Sequence, residues 1–175
     1  MARNEQVQLD DSTEVNLRPV IAPDPLDLRI SLSSLVHWAD SNEVRRRIMT
    51  AVSFPVDDMA MFLVVNQLSY RGAMRPSDLA SALGTGRANL SKIAHRLQEA
   101  GLITRVAAQA DDRSVLIVLT TAGREIGSRI MIQAQNTFES ALAHWSADEI
   151  ATLQRVLARL AQETVPELRQ AALTS

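Results

Sequence analysis

The sequence predicts a mainly α-helical fold with one small β-hairpin. Apolar residues recur at helical spacing through most of the chain after residue 27. Two short helical patterns, separated by glycines, occupy residues 76–101. Residues 102–106 and 115–119 follow; both are rich in apolar and β-branched side chains, and they flank a charged turn. This order predicts a hairpin, here called the wing, directly after a pair of helices.

Composition places the chain among ordinary globular proteins. Its 175 residues suffice for one domain with a sizeable core, and 46% hydrophobic with 22% charged residues is typical of soluble domains. No apolar run reaches the roughly 20 residues of a membrane span, and the N-terminus lacks an apolar signal core. We therefore expect a cytoplasmic protein with no membrane partner. The absence of cysteine excludes disulfides, thiolate metal sites and thiol redox switches within these residues.

Four segments are predicted along the chain. Residues 1–27 are polar, acidic and interrupted by proline, which predicts a flexible N-terminal arm. Residues 28–55 form a helical pattern for dimerisation, with the polar residues 40–42 as the point where it kinks or breaks. Residues 56–120 are predicted to form a winged helix-turn-helix DNA-binding domain. Residues 121–175 predict C-terminal dimerisation helices, the last of which opens at the capping-box pattern Ser146 to Glu149.

The terminal helices also predict the oligomeric state. Residues 28–55 and 121–175 carry more apolar surface than a small winged domain can cover. A homodimer with a helical interface would bury that surface.

The second helix of residues 76–101 has one apolar face and one basic face. Leu90, Ile93 and Leu97 mark the apolar side, and the opposite side carries no acid before Glu99. A helix, a glycine turn and a second helix with a basic outer face form a DNA-reading helix-turn-helix. Residues 71–124 hold eight basic and four acidic residues, against ten and sixteen elsewhere, so positive charge is concentrated here.

The sequence therefore predicts double-stranded DNA as the partner. The candidates for major-groove contact are Arg87, Ala88, Asn89, Ser91, Lys92, His95 and Arg96. Arginine commonly reads guanine and asparagine reads adenine, although each of these side chains could instead contact phosphate or solvent. Arg96 could also pair with an acid of its own domain. The candidates for backbone phosphate contact are Arg71, Arg75, Ser77 and Arg105.

Catalytic and cofactor chemistry is not predicted. The three histidines are scattered without metal-ligand spacing, and no nucleophile-elbow motif is present. The Gly84-Thr85-Gly86 segment lacks the rest of either nucleotide-binding fingerprint. We predict no enzyme activity, no cofactor and no metal.

Four motifs carry a resemblance to a known family. They are PSDLASALG at residues 76–84, EAGLI at 99–103, DDR at 111–113 and LTTAG at 119–123. This stretch resembles the MarR family of bacterial winged-helix transcription regulators. The resemblance implies a homodimer whose recognition helices enter the major grooves of a pseudo-palindromic operator, with each wing in an adjacent minor groove. Arg113 resembles the family's wing arginine and Asp111 the acid that orients it. The sequence departs from the family pattern at Arg75, where the family often has Ser or Thr, and at Gly86, where it often has Ser.

The resemblance also implies a repressor released by a small aromatic or phenolic effector. The region that binds such effectors corresponds here to His37 and Trp38, with Met59, Met61 and Phe62 as further candidates. Plain core packing is the alternative for all five residues. Two rival functions remain open: a constitutive architectural DNA-binding protein without an effector, and a protein-interaction module built on a winged helix.

Overall fold

The computed structural model describes residues 8–9, 13–14, 24, 26–108 and 111–165, with the side chains of 24, 26–107 and 115–165. The chain divides into two compact units, residues 1–45 and 46–175. The wholly described helices and the wing confirm the predicted mainly α fold with a small β-wing.

The first unit contains a short strand pair and a helix. Strand β1 (Gln8–Leu9) pairs antiparallel with β2 (Thr13–Glu14), a ladder that the sequence pattern did not predict. The other residues of the predicted flexible arm before residue 24 lie outside the described residues. Helix α1 (Leu28–Ala39) is capped by Asp27, whose carboxylate accepts a hydrogen bond from the Arg29 amide at 2.9 Å.

Of the kink or break predicted at residues 40–42, the structure has the break: α1 ends at Ala39 with Asp40 as its C-cap, and α2 (Asn42–Ala51) begins beyond it. The boundary between the two units falls within α2. The Ser41 hydroxyl accepts a hydrogen bond from the Val44 amide at 3.2 Å, which satisfies one of the free N–H groups at the start of a helix.

The second unit holds the remaining helices and the wing. In chain order these are α3 (Met59–Arg71), α4 (Pro76–Ala82), α5 (Arg87–Glu99), β3 (Ile103–Ala108), β4 (Asp111–Leu119), α6 (Thr121–Ala141) and α7 (Ala147–Thr164). The core forms where the apolar faces of α3, α4 and α5 meet the wing and α6. Its most deeply buried side chains are Met61, Phe62, Val64, Val65, Leu68, Leu79, Leu90, Leu97, Ile103, Ile117 and Ile130.

The wing is longer than the sequence predicted. Strand β3 pairs with β4 from Ile103↔Leu119 to Ala107↔Val115, and the register then shifts so that Ala108 faces Asp111. The turn expected over residues 107–114 is therefore largely strand. Alanine and aspartate are weak strand formers, but a partner strand overrides such local preferences. Met74, between α3 and α4, pairs with Ile117 through two backbone hydrogen bonds of 3.1 and 2.8 Å.

Helix α6 approaches the end of α5 very closely. The Thr120 hydroxyl donates to the Gly101 carbonyl at 2.6 Å and accepts from the Gly123 amide at 3.1 Å. A Cβ added at Gly123 would lie 2.0 Å from the carbonyl oxygen of Leu102. Glycine at position 123 is therefore required by the packing of α6 against the start of the wing.

Helix α7 begins with the predicted capping box. The Ser146 hydroxyl accepts from the Glu149 amide at 3.3 Å, and the Ser146 amide donates to the Glu149 carboxylate at 2.8 Å. The Ser146 hydroxyl also donates to the Glu149 carboxylate at 2.7 Å, and this hydrogen bond, followed by the one from the Ser146 amide, lowers the pKa of Glu149. No residue of α7 is buried within the chain. Within the described residues no helix has both the length and the apolarity to cross a bilayer.

Candidate nucleic-acid interface

The turn between α4 and α5 is made by two glycines with different roles. Helix α4 ends at Ala82 with Leu83 as its C-cap, and Gly84 has φ +60°, a left-handed conformation that glycine adopts without strain. Gly86 is the N-cap of α5 with φ −75° and ψ 151°, an ordinary extended conformation. No side chain caps α5, so the first turn of this helix presents free amide N–H groups.

Helix α5 separates its residues as the sequence predicted. Leu90, Ile93, Ala94 and Leu97 are buried. All the predicted major-groove residues are exposed: Arg87, Ala88, Asn89, Ser91, Lys92, His95 and Arg96. Exposure makes these side chains available to DNA, and their contact with DNA remains a prediction.

The exposed residues of α5 differ in their intramolecular partners. In the first turn, the side-chain amide nitrogen of Asn89 (Nδ2) donates to the Thr85 hydroxyl at 2.8 Å. One turn before the end of the helix, the His95 Nε2 lies 3.4 Å from a Glu99 carboxylate oxygen. Glu99 therefore places negative charge beside the C-terminal half of the exposed face, which favours the N-terminal half as the part that meets DNA.

Arg96 pairs with an acid of its own domain, the alternative that the sequence left open. Its guanidinium lies 2.5 Å from the carboxylate of Asp58, which is the N-cap of α3 and accepts from the Ala60 and Met61 amides at 2.8 and 3.1 Å. Burial alone would raise the pKa of Asp58, but hydrogen bonds from the Met61 amide and the Arg96 guanidinium together hold it below its usual value. Asp58 thus connects the start of α3 to α5.

Replacing Asp58 with alanine is expected to reduce stability by roughly 1 kcal/mol at pH 7, mainly through loss of the helix cap. The half-exposed ion pair adds only a small part. Because the folded-state pKa is lowered, this stabilisation is present above the unfolded-state pKa of about 4 and is lost as the pH falls through the folded-state value. Urea denaturation at a series of pH values should show the two proteins converging in acid.

The matched control for this prediction is Asp57→Ala, which removes the same charge from the neighbouring exposed position. A constant difference in stability between wild type and Asp58→Ala at every pH would contradict a role for the ionised carboxylate.

The wing places its predicted DNA residues in β4. Asp111 begins that strand. Arg113 is the middle one of three consecutive β4 residues, 112–114, that pair with no residue of β3. The side chains of Asp111 and Arg113 lie outside the described residues, so their predicted pairing is not tested. Among the phosphate candidates, Arg71, Arg75 and Arg105 are exposed and Ser77 is half-buried. The Ser77 hydroxyl donates to the Asp78 carboxylate at 3.1 Å.

Comparison with known proteins identifies this arrangement. Residues 58–115 match the sequence profile of the MarR family. The multiple antibiotic resistance protein MarR of Escherichia coli K12 is 27% identical over 133 residues, which cover 75% of this chain and 91% of that protein. The transcriptional repressor MprA of the same strain is 29% identical over 110 residues, which cover 61% of this chain and 62% of that protein.

Residues 58–115 form a domain of the MarR family. Solved structures agree in fold. A MarR family protein from Bacillus stearothermophilus superposes with a TM-score of 0.62 at 23% identity and covers 77% of this chain and 94% of its own. Wild-type apo MarR from E. coli superposes with a TM-score of 0.54 at 27% identity. The superposition covers 74% of this chain and 96% of the MarR chain.

Membership of the MarR family gives the broad function. The chain is a MarR-family transcriptional regulator, and such regulators are DNA-binding proteins and not enzymes. The sequence prediction of a non-enzyme is therefore confirmed.

A cleft beside α5 was not predicted from the sequence. It has a volume of about 280 Å³ and lies where the N-terminal half of α5 meets the wing. Leu90, Ala94 and Ile117 supply apolar surface, while Arg87 and Arg105 supply positive charge. Residues 87 and 105 are distant in sequence and on different elements, so no local pattern could have brought them together. The hairpin register places Arg105 opposite Ile117, on the face that borders α5.

The predicted effector residues have different environments. In the first unit, His37 is exposed and Trp38 is half-buried on α1, and the His37 Nδ1 lies 2.7 Å from the Ser33 carbonyl. In the second unit, Met61 and Phe62 are 1% and 2% exposed, and the Phe62 ring packs edge-on against Phe54. Met61 and Phe62 are therefore core residues, which is the alternative considered for all five predicted effector residues. Met59 is half-buried at the start of α3.

Proposed function

We propose that this chain is a homodimeric repressor that binds a pseudo-palindromic DNA operator and is released by a small-molecule effector. The observation that carries the proposal is the exposed, donor-rich N-terminal half of α5. Arg87, Asn89, Ser91 and Lys92 face solvent there, within a segment of net positive charge. A face of this size and chemistry suits the major groove, which an α-helix can enter.

The apolar surfaces of the terminal helices support the homodimer. Helix α1 has no buried residue, and its Leu28 and Val36 are 75% and 59% exposed. Helix α7 likewise buries nothing and exposes Val156, Leu157 and Leu160. Isolated amphipathic helices of 12 or 18 residues are marginal in water, so these helices need a partner surface. A second copy of the chain supplies one, through a two-fold interface in which each subunit presents the same residues.

The cleft beside α5 supports a mechanism of release. A small aromatic molecule with a phenolate or carboxylate group would place its ring on Val115, which also lines the cleft and is 42% exposed, and its negative charge near Arg87 and Arg105. DNA phosphates would compete for the same two arginines. The ligand would then lower operator affinity because it binds the free protein better than the DNA-bound protein. His37 and Trp38, predicted from the sequence and both on α1, are a second candidate for effector contact.

Selection of bound duplexes from a random pool tests the proposal. The expected product is a short inverted repeat whose half-sites are about one helical turn apart, with affinity that falls steeply as salt rises. Protection spread along any duplex would instead favour the architectural DNA-binding protein. Failure to bind any duplex at low salt would favour the protein-interaction module.

Replacing Arg113 with alanine is expected to weaken operator binding by roughly 1–3 kcal/mol, as for loss of a specific DNA contact. A narrow A·T-rich minor groove has enhanced negative potential, which attracts an inserted arginine. Fluorescence anisotropy with the selected operator measures the change. The control is Arg155→Ala, which removes the same charge from an exposed position on α7. Equal affinities for the Arg113 variant and the control would remove the wing from the mechanism.

A further inference from the structure

Asn89 differs from the other exposed residues in the first turn of α5 because a neighbouring side chain orients its amide. The Asn89 nitrogen donates to the Thr85 hydroxyl at 2.8 Å. Thr85 is itself fixed in the turn, where it is half-buried and its amide donates to the Ala80 carbonyl at 3.0 Å. The exposed Asn89 amide is therefore held in one orientation before any DNA is bound.

The bond to Thr85 determines which groups Asn89 has left to offer. A carboxamide has two N–H donors and one oxygen acceptor, and Thr85 occupies one of the donors. One donor and the oxygen remain. In the major groove adenine presents an N6–H donor beside an N7 acceptor, which matches that pair. Guanine presents two acceptors at the same place, and its O6 would face the Asn89 oxygen unfavourably.

The space around Asn89 is open to a base. Its neighbour Ala88 is small and exposed, and Gly86 has no side chain. A Cβ added at Gly86 would meet no atom within 4 Å. The start of α5 can therefore approach a base edge without obstruction from its own turn.

We propose that Asn89 reads an adenine in each half-site and that Thr85 is the positioning residue that sets this preference. The proposal rests on the proposed function, since it requires α5 to enter the major groove. It adds a named base and a residue pair that determines specificity. If the amide were reversed, with its oxygen facing Thr85, Asn89 would present two donors outward and prefer guanine.

The experiment compares base preferences of full-length variants. Duplexes bound by wild type, Asn89→Ala, Thr85→Val and Thr85→Ser are selected from one random pool and sequenced. Wild type is expected to prefer A·T at one position of each half-site by about 5- to 150-fold, the range for a bidentate contact. Asn89→Ala should lose that preference and keep the others. Thr85→Val, which has the same shape without the hydroxyl, should weaken the same preference, and Thr85→Ser should restore it.

Three results would overturn the inference while leaving the proposed function intact. The first is an unchanged base preference in Asn89→Ala. The second is a guanine at the position that depends on Asn89. The third is a Thr85→Val variant that loses affinity equally for every sequence, as the phosphate-contact variant Arg71→Ala should. If wild type selects no sequence at all, both the proposed function and this inference fail. Thermal denaturation establishes that each variant is folded.

Discussion

Replacing Gly123 with alanine is expected to lower the free energy of unfolding by about 3 kcal/mol, the upper end of the usual range for overpacking. The added methyl carbon would lie 2.0 Å from the Leu102 oxygen and 3.0 Å from its carbonyl carbon. Both are backbone atoms, and two hydrogen bonds of 3.0 Å hold Leu102 in place, from its amide to Leu97 and from the Thr120 amide to its carbonyl. The clash can be relieved only if α6 moves away from the wing. Chemical denaturation measures the loss.

Two control variants separate this clash from the general effect of adding a side chain at a glycine. Gly127→Ala makes the same change one turn later, where the nearest atom is the Ser69 hydroxyl at 2.3 Å. A hydroxyl can rotate away, so a smaller loss is expected there. Gly86→Ser enters open space and should change stability by a few tenths of a kcal/mol. If Gly123→Ala is as stable as Gly86→Ser, α6 does not approach Leu102 as closely as described.

Replacing Leu157 with glutamate is expected to convert the proposed dimer to monomers. Leu157 lies on the exposed apolar side of α7. A carboxylate buried without a partner costs several kcal/mol, and a two-fold interface would bury two of them. Each 1.4 kcal/mol is a factor of ten, so the dissociation constant of the dimer should rise by at least about 100-fold. Sedimentation velocity over a range of micromolar concentrations measures it.

The control for the dimer prediction is Gln162→Glu, which introduces the same charge on the opposite side of α7, where it is exposed. That variant should remain as dimeric as wild type, and its operator affinity should be unchanged. The Leu157 variant should lose operator affinity together with dimerisation, because two recognition helices no longer bind one site. A Leu157→Glu protein that remains a dimer would place the interface elsewhere.

The parts of the fold that the sequence predicted correctly depend on nearby residues. The exposed face of α5 follows from the helical spacing of Leu90, Ile93 and Leu97, and the start of α7 follows from the capping box at Ser146. The break before α2 follows from a polar interruption of an apolar pattern. In each case the residues concerned lie within one or a few helical turns of each other, so periodicity and capping rules suffice.

The parts that the sequence did not predict depend on distant residues. The pair of Arg96 with Asp58 joins residues 38 positions apart. Only the packing of α3 on α5 makes Asp58 the partner of Arg96, and the sequence had offered Arg96 equally as a reader of DNA. The bridge between Met74 and Ile117, and the cleft with Arg87 and Arg105, likewise arise from tertiary packing. A single sequence gives the residue types at such places without the geometry that joins them.

The open space at Gly86 has a consequence for engineering this regulator. The backbone there already has the extended conformation that a capping side chain uses, and nothing obstructs a Cβ. Serine, threonine or asparagine could therefore be introduced at the start of the recognition helix without a penalty to folding. Each would add a new polar group next to the bases that α5 is proposed to meet. Position 86 is thus a place where DNA preference can be redesigned independently of the scaffold.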